Sequence, residues 1–206
     1  MNRQFLRAAV VLVTALPLAT GCEDRVTSPH TPDPGADQLP AFETKPGDPG
    51  AAADRMLFQA QLGPLGGTTS HGIVHIEIVG GYLIVSTQGT GLEPLQHIPQ
   101  HIHENPTCDD PGNPLVNLDA NLTVAGEAPP VGTAFPVSNR GGVLNYYASR
   151  SLTDLLQAVN TYLGANLPSV EALVAWLDLE HRNAHMHVPF GPPFPAVNCG
   201  EIDRLN

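Results

Sequence analysis

Hydrophobic and polar positions alternate most regularly in the segment Thr69 to Val79, where Val74, Ile76 and Ile78 fall on one face and Ile73, His75, Glu77 and Val79 on the other. A period of two predicts a half-buried strand. Gly80-Gly81 follows, a pair that tolerates positive φ at both positions of a tight turn, and Tyr82 to Thr87 returns as the second strand of a hairpin. Leu57 to Leu62, Ile98 to Glu104, Gly142 to Tyr147, Ala184 to Val188 and Val197 to Ile202 read as further short strands. Gly89-Thr90-Gly91 reads as a break, and the stretch from Cys108 to Pro136, with its Pro-Gly, Asn-Pro and Pro-Pro pairs, reads as loop.

A period near 3.6 is strong in one place. Between Ser151 and Leu163, the residues Leu152, Leu155, Leu156, Val159 and Leu163 share a helical face, Ser151 with Asp154 forms a capping pattern, and Gly164 supplies a stop. Ser169 to Leu177 reads as a second, short helix. Many short strands with one inserted helix predict a mainly β domain, a sandwich or a Greek-key barrel.

The front of the chain is organised differently. Arg3 and Arg7 precede an apolar run from Ala8 to Leu18, too short to cross a bilayer and of the length of an export signal. It ends in Ala19-Thr20-Gly21 directly before Cys22. The arrangement resembles a lipobox, with Ala19 where leucine is usual, and implies that residues 1–21 are a lipoprotein signal peptide and that Cys22 carries lipid. Six prolines between Glu23 and Arg55, interleaved with Gly, Asp, Thr and Ala, cannot build a core and predict an extended tether over residues 22–55. Residues 56–206 then form one domain. The expected location is the cell envelope, facing periplasm or exterior, with the membrane as partner through the anchor alone.

Charge narrows the partners. Nine Lys and Arg against 20 Asp and Glu give a net charge of −11, which disfavours nucleic acid and anionic surfaces and does not draw in anionic substrates. With Cys22 assigned to lipid, Cys108 and Cys199 remain as a pair in an oxidising compartment, and a disulfide between them is the natural reading. Serine-hydrolase chemistry has little support: Ser70-His71 is the only adjacent pair, and no glycine pattern frames a serine as a nucleophile elbow.

The chain has nine histidines, and their spacing carries the chemistry. His101 with His103, and His185 with His187, are H-x-H pairs in expected strands, so each pair points to one face. If the two strands are neighbours, the imidazoles surround a common volume suited to copper or zinc, with ring nitrogens within ~4 Å of one another. The competing reading is a set of solvated or hydrogen-bonded strand residues. His71, His75, His97 and His181 are weaker ligand candidates, and His30 lies in the tether.

The run His101-Ile102-His103-Glu104-Asn105-Pro106-Thr107-Cys108, with Val197-Asn198-Cys199-Gly200-Glu201-Ile202 near the end, resembles the copper–zinc superoxide dismutases. The hairpin, Gly91-Leu92 and the His-Ile-His run also look like a CHRD domain. The dismutase resemblance implies copper at His101, His103 and His187, with His185 as the next addition, and the disulfide Cys108–Cys199. It also exposes departures. No histidine lies between Glu104 and Glu180, so the family's bridging histidine and zinc site are not expected, and Ala196 stands where the family's guiding arginine would be. Three readings follow: a copper-binding domain without turnover, which is favoured; a copper-only dismutase; and a CHRD-like structural or interaction module that holds no metal.

Overall fold

The computed structural model describes residues 55–130, 135–187 and 195–206. The proposed signal peptide, Cys22 and most of the proposed tether therefore lie outside the described residues. Among the described residues, eight strands run Met56–Pro64 (β1), His71–Val79 (β2), Tyr82–Thr90 (β3), Gln100–His103 (β4), Pro114–Asn117 (β5), Leu144–Ser151 (β6), Asn183–His187 (β7) and Ala196–Arg204 (β8). Their order in the sheet is β5-β4-β7-β8-β1-β2-β3-β6, and all seven pairings are antiparallel. Strand β8 joins the two halves: it pairs with β7 along Ala196–Glu201 and with β1 along Asn198–Arg204.

All eight strands contribute to a single buried cluster, from Leu115 and Ile102 near one end of the order to Leu83 and Leu144 near the other. A flat sheet could not bring those ends onto one core, so the sheet curls over its own apolar face. Mainly β architecture with few short helices matches the expectation. At the junction, Gly200 passes so close to Gln61 that a Cβ there would run into the Gln61 carbonyl oxygen. Glycine is what lets β8 press against β1 while it also pairs with β7.

The predicted hairpin forms as read. Gly80 and Gly81 have φ of 56° and 80°, and Val74, Ile76 and Ile78 are the buried face. The expected break at Gly89 does not occur, because β3 continues to Thr90. Gly89 serves instead as a close-approach site: a Cβ there would lie 3.0 Å from Leu92 and 3.2 Å from Met186. The turn falls at Gly91, with φ of 68°. Among the described residues there are two α-helices, Leu152–Ala158 (α1) and Val170–Leu177 (α2). Helix α1 is capped by the Ser151 hydroxyl, which accepts from the Asp154 N–H, and it widens into a π turn over Val159–Leu163 before Gly164 ends it with a φ of 65°. Among the described residues, no helix is long and apolar enough to cross a membrane.

Candidate metal centre

Strands β4 and β7 are direct neighbours, with His101 opposite His185 and Ile102 opposite Ala184. Alternation sends Ile102, Ala184 and Met186 into the core, each at most 1% exposed, and turns all four histidines to the other face. Twist favours the diagonals. The rings of His103 and His185 are 4.6 Å apart and those of His101 and His187 5.1 Å apart, while the remaining separations recorded within the set are 5.7, 5.8 and 6.0 Å. One nitrogen from each of His103, His185 and His187 lies within 4.8 Å of the other two. An ion with metal–nitrogen bonds of about 2 Å would draw such nitrogens to roughly 3–4 Å, a small contraction.

Neighbouring elements fix two of the rings. His101 Nδ1 is 2.8 Å from Asn117 Oδ1 on β5, and His103 Nδ1 is 3.2 Å from the Gly112 carbonyl oxygen. Both partners are oxygens that only accept, so each Nδ1 carries the proton and each Nε2 keeps a free lone pair. His103 and His185 are 6% and 3% exposed, and their Nε2 atoms are buried with no hydrogen-bond partner among the described residues. A buried polar atom left without a partner costs about 1–3 kcal/mol. An ion accepting those lone pairs removes the penalty, so the donor set fits a bound metal.

The rings of His101, His103 and His185 are also held in the neutral form. Burial, with the neighbouring His187 adding to it, pushes the His101 imidazole down from 6.5 to about 4. Burial and the surrounding histidines push His185 down to about 3, and burial lowers His103 as well. Neutral imidazole is the form that ligates. The sign for folding follows. Above pH 6.5 these rings are neutral both folded and unfolded; as pH falls from 6.5 toward 4, the unfolded chain takes up protons that the folded chain refuses, and stability drops. The urea midpoint of the metal-free protein is expected to decline steadily between pH 7 and pH 4. In His101→Gln/His185→Gln the decline should be shallower, and an unchanged slope would refute the burial argument.

The disulfide forms one wall of the site. Cys108 and Cys199 are bonded, with Cα atoms 5.8 Å apart, as the sequence reading expected. Cys199 sits opposite His185 in the β7–β8 register. The rings of Phe135 and His101 meet in a T-shaped arrangement, with centroids 5.5 Å apart. The weaker candidates lie elsewhere. His71 and His75 are exposed on β2, with His75 Nε2 3.1 Å from Gln59 Oε1; His97 Nδ1 is 2.8 Å from the Phe135 carbonyl oxygen; and exposed His181 is 2.8 Å from Asp178. His30 is outside the described residues.

Sequence reasoning missed Asn117 and the strand that carries it. Pro114-Leu115-Val116-Asn117 lies in a segment read as loop, because Pro and Gly punctuate it densely, yet it pairs with β4. The apolar pair Leu115-Val116, 5% and 0% exposed, was the available signal.

No protein-family model matches the chain, and no curated protein matches it. Among solved structures, the chain is similar to the copper(II) form of superoxide dismutase 5 from Candida albicans, with a TM-score of 0.46 and 14% identity, over 74% of this chain and 94% of that one. A single-residue mutant of the same dismutase gives a TM-score of 0.44 and 16% identity, over 75% and 93%.

Proposed function

We propose that this chain is an exported lipoprotein whose β domain binds one copper ion through His101, His103, His185 and His187, without the turnover of a superoxide dismutase. The observation that carries the reading is the pair of buried Nε2 atoms on His103 and His185 that have no hydrogen-bond partner among the described residues, beside the neutral ring of His101. Copper is favoured over zinc on two grounds: an imidazole set binds copper(II) more tightly than zinc(II), and the matched histidines correspond to the copper half of the dismutase pattern. The Cys108–Cys199 disulfide suits an oxidising compartment outside the cytoplasm, where the proposed lipid on Cys22 would tether the domain.

Weak turnover follows from charge. A dismutase draws superoxide in with positive field near the metal, whereas this chain carries −11 overall and has Ala196 at the position of the family's guiding arginine. Equilibrium dialysis of the full chain against copper(II) should give one ion per chain, and pulse radiolysis of the loaded protein should show superoxide decay far below the diffusion limit of about 10⁹ M⁻¹s⁻¹. Decay near that limit would establish the copper-only dismutase reading instead. Absence of copper uptake would return the domain to the CHRD-like structural alternative.

A further inference from the structure

Behind His101 lies a chain of side chains that ends on a buried carboxylate. Asp119 is 4% exposed and accepts the backbone N–H groups of Asn121 and Thr123, both at 3.0 Å. The Thr123 hydroxyl, 1% exposed, donates to Asp119 Oδ2 at 2.5 Å. Asn117 Nδ2 donates to Thr123 Oγ1 at 2.8 Å, and Asn117 Oδ1 faces His101 Nδ1 at 2.8 Å. The turn that brings these groups together is built at some cost. It closes with Leu122 N–H on the Asp119 carbonyl oxygen at 3.1 Å, and Leu122, fully buried, takes a left-handed φ of 48°. A non-glycine residue there costs roughly 1–2 kcal/mol, which the surrounding structure must offset.

We propose that Asp119, Thr123 and Asn117 form a one-way hydrogen-bond relay that dictates which nitrogen of His101 carries the proton. The direction follows from the inventory of donors and acceptors. A carboxylate only accepts, so the single hydroxyl proton of Thr123 points to Asp119. The Thr123 oxygen must then accept from Asn117, and only the amide nitrogen can donate. That sets the Asn117 amide with its oxygen toward His101. An amide oxygen only accepts, so His101 carries its proton on Nδ1 and presents a bare Nε2. Without the Thr123 oxygen, nothing stops the Asn117 amide from turning over. Its Nδ2 would then donate to His101 Nδ1, and Nε2 would be protonated and closed to an ion. His103 needs no such relay, because the Gly112 carbonyl has a fixed sense. Asn117, Thr123 and Asp119 are thus positioning residues for His101. Their effect on metal affinity rests on the copper-binding reading above, but the tautomer itself does not.

The test uses the metal-free full chain with ¹⁵N-labelled histidine, read by long-range ¹H–¹⁵N NMR at pH 7. His101 should show a protonated Nδ1 and a bare Nε2 in the parent and in Thr123→Ser, which keeps the hydroxyl. In Thr123→Val, which keeps the shape and loses the oxygen, the Nε2-protonated form should appear. Should Thr123→Val not fold, Asn117→Leu removes the last link and should likewise abolish the single tautomer. A protonated Nε2 in the parent, or parent-like shifts in the folded Thr123→Val or Asn117→Leu protein, would overturn the relay. In parallel, copper(II) affinity should fall by roughly 10–100-fold in Thr123→Val and be restored in Thr123→Ser. If the parent takes up no copper while its tautomer is as described, the function fails and the relay stands.

Discussion

Replacing His103 and His185 together by leucine is expected to lower copper affinity by more than about a hundredfold, since even the residues that merely support metal ligands are worth 10–100-fold. The metal-free double variant should be no less stable than the parent at pH 7. In the parent the Nε2 atoms of His103 and His185 are buried without a partner among the described residues, and leucine removes both at similar volume. Below pH 6.5 the variant should be the more stable protein, because the depressed His185 and His103 no longer resist protonation. Loss of binding with retained or raised stability is what a site kept for a ligand should show. Dialysis and thermal melts with and without copper check both halves. A variant that binds as the parent does would remove the cluster from consideration.

The second large effect is on folding. Cys108 and Cys199 are 91 residues apart in sequence, so their bond constrains a long loop of the unfolded chain. The chain-entropy relation gives about 4–5 kcal/mol for a loop of this length. Cys108→Ala/Cys199→Ala should therefore melt roughly 10–20 °C lower than the parent, a shift that differential scanning calorimetry reads directly. Other contacts hold the same segment: Asn183 Nδ2 donates to the carbonyls of Asn105 and Thr107 at 2.5 and 3.1 Å, and Arg182 donates to the Glu104 carbonyl. The variant should accordingly still fold. Copper affinity should fall with it, because the loop after Cys108 supplies the Gly112 carbonyl that orients His103. A melting temperature within about 2 °C of the parent would show that strain or residual unfolded structure cancels the constraint.

The parts of the fold legible in the sequence are those where one face is buried and the other is wet. In β2 and β3, alternation and the Gly80-Gly81 turn leave little choice of register. The α1 helix was equally plain, since Ser151 and Gly164 mark its ends. The paired H-x-H spacing revealed which residues could share a face, but whether the two strands were neighbours is decided by long-range pairing that no local pattern encodes. Strand β5 was hidden because it is four residues long and opens on Pro114. With it went Asn117, and with Asn117 the relay through Thr123 to Asp119, whose residues are ordinary turn residues in sequence and acquire a role through β4–β5 pairing. Gly89 misled for a related reason: a glycine needed for close approach and one needed for a turn look alike until the partner, here Met186, is in place.

Whether one ion sits among these four histidines can be read from electron paramagnetic resonance of the full chain loaded with one equivalent of copper(II). With ¹⁴N- and ¹⁵N-histidine preparations compared, one copper species is expected, whose nitrogen superhyperfine splitting changes with the label and is lost in His103→Leu/His185→Leu. A spectrum indifferent to the histidine label, or one that survives unchanged in the double variant, would contradict it.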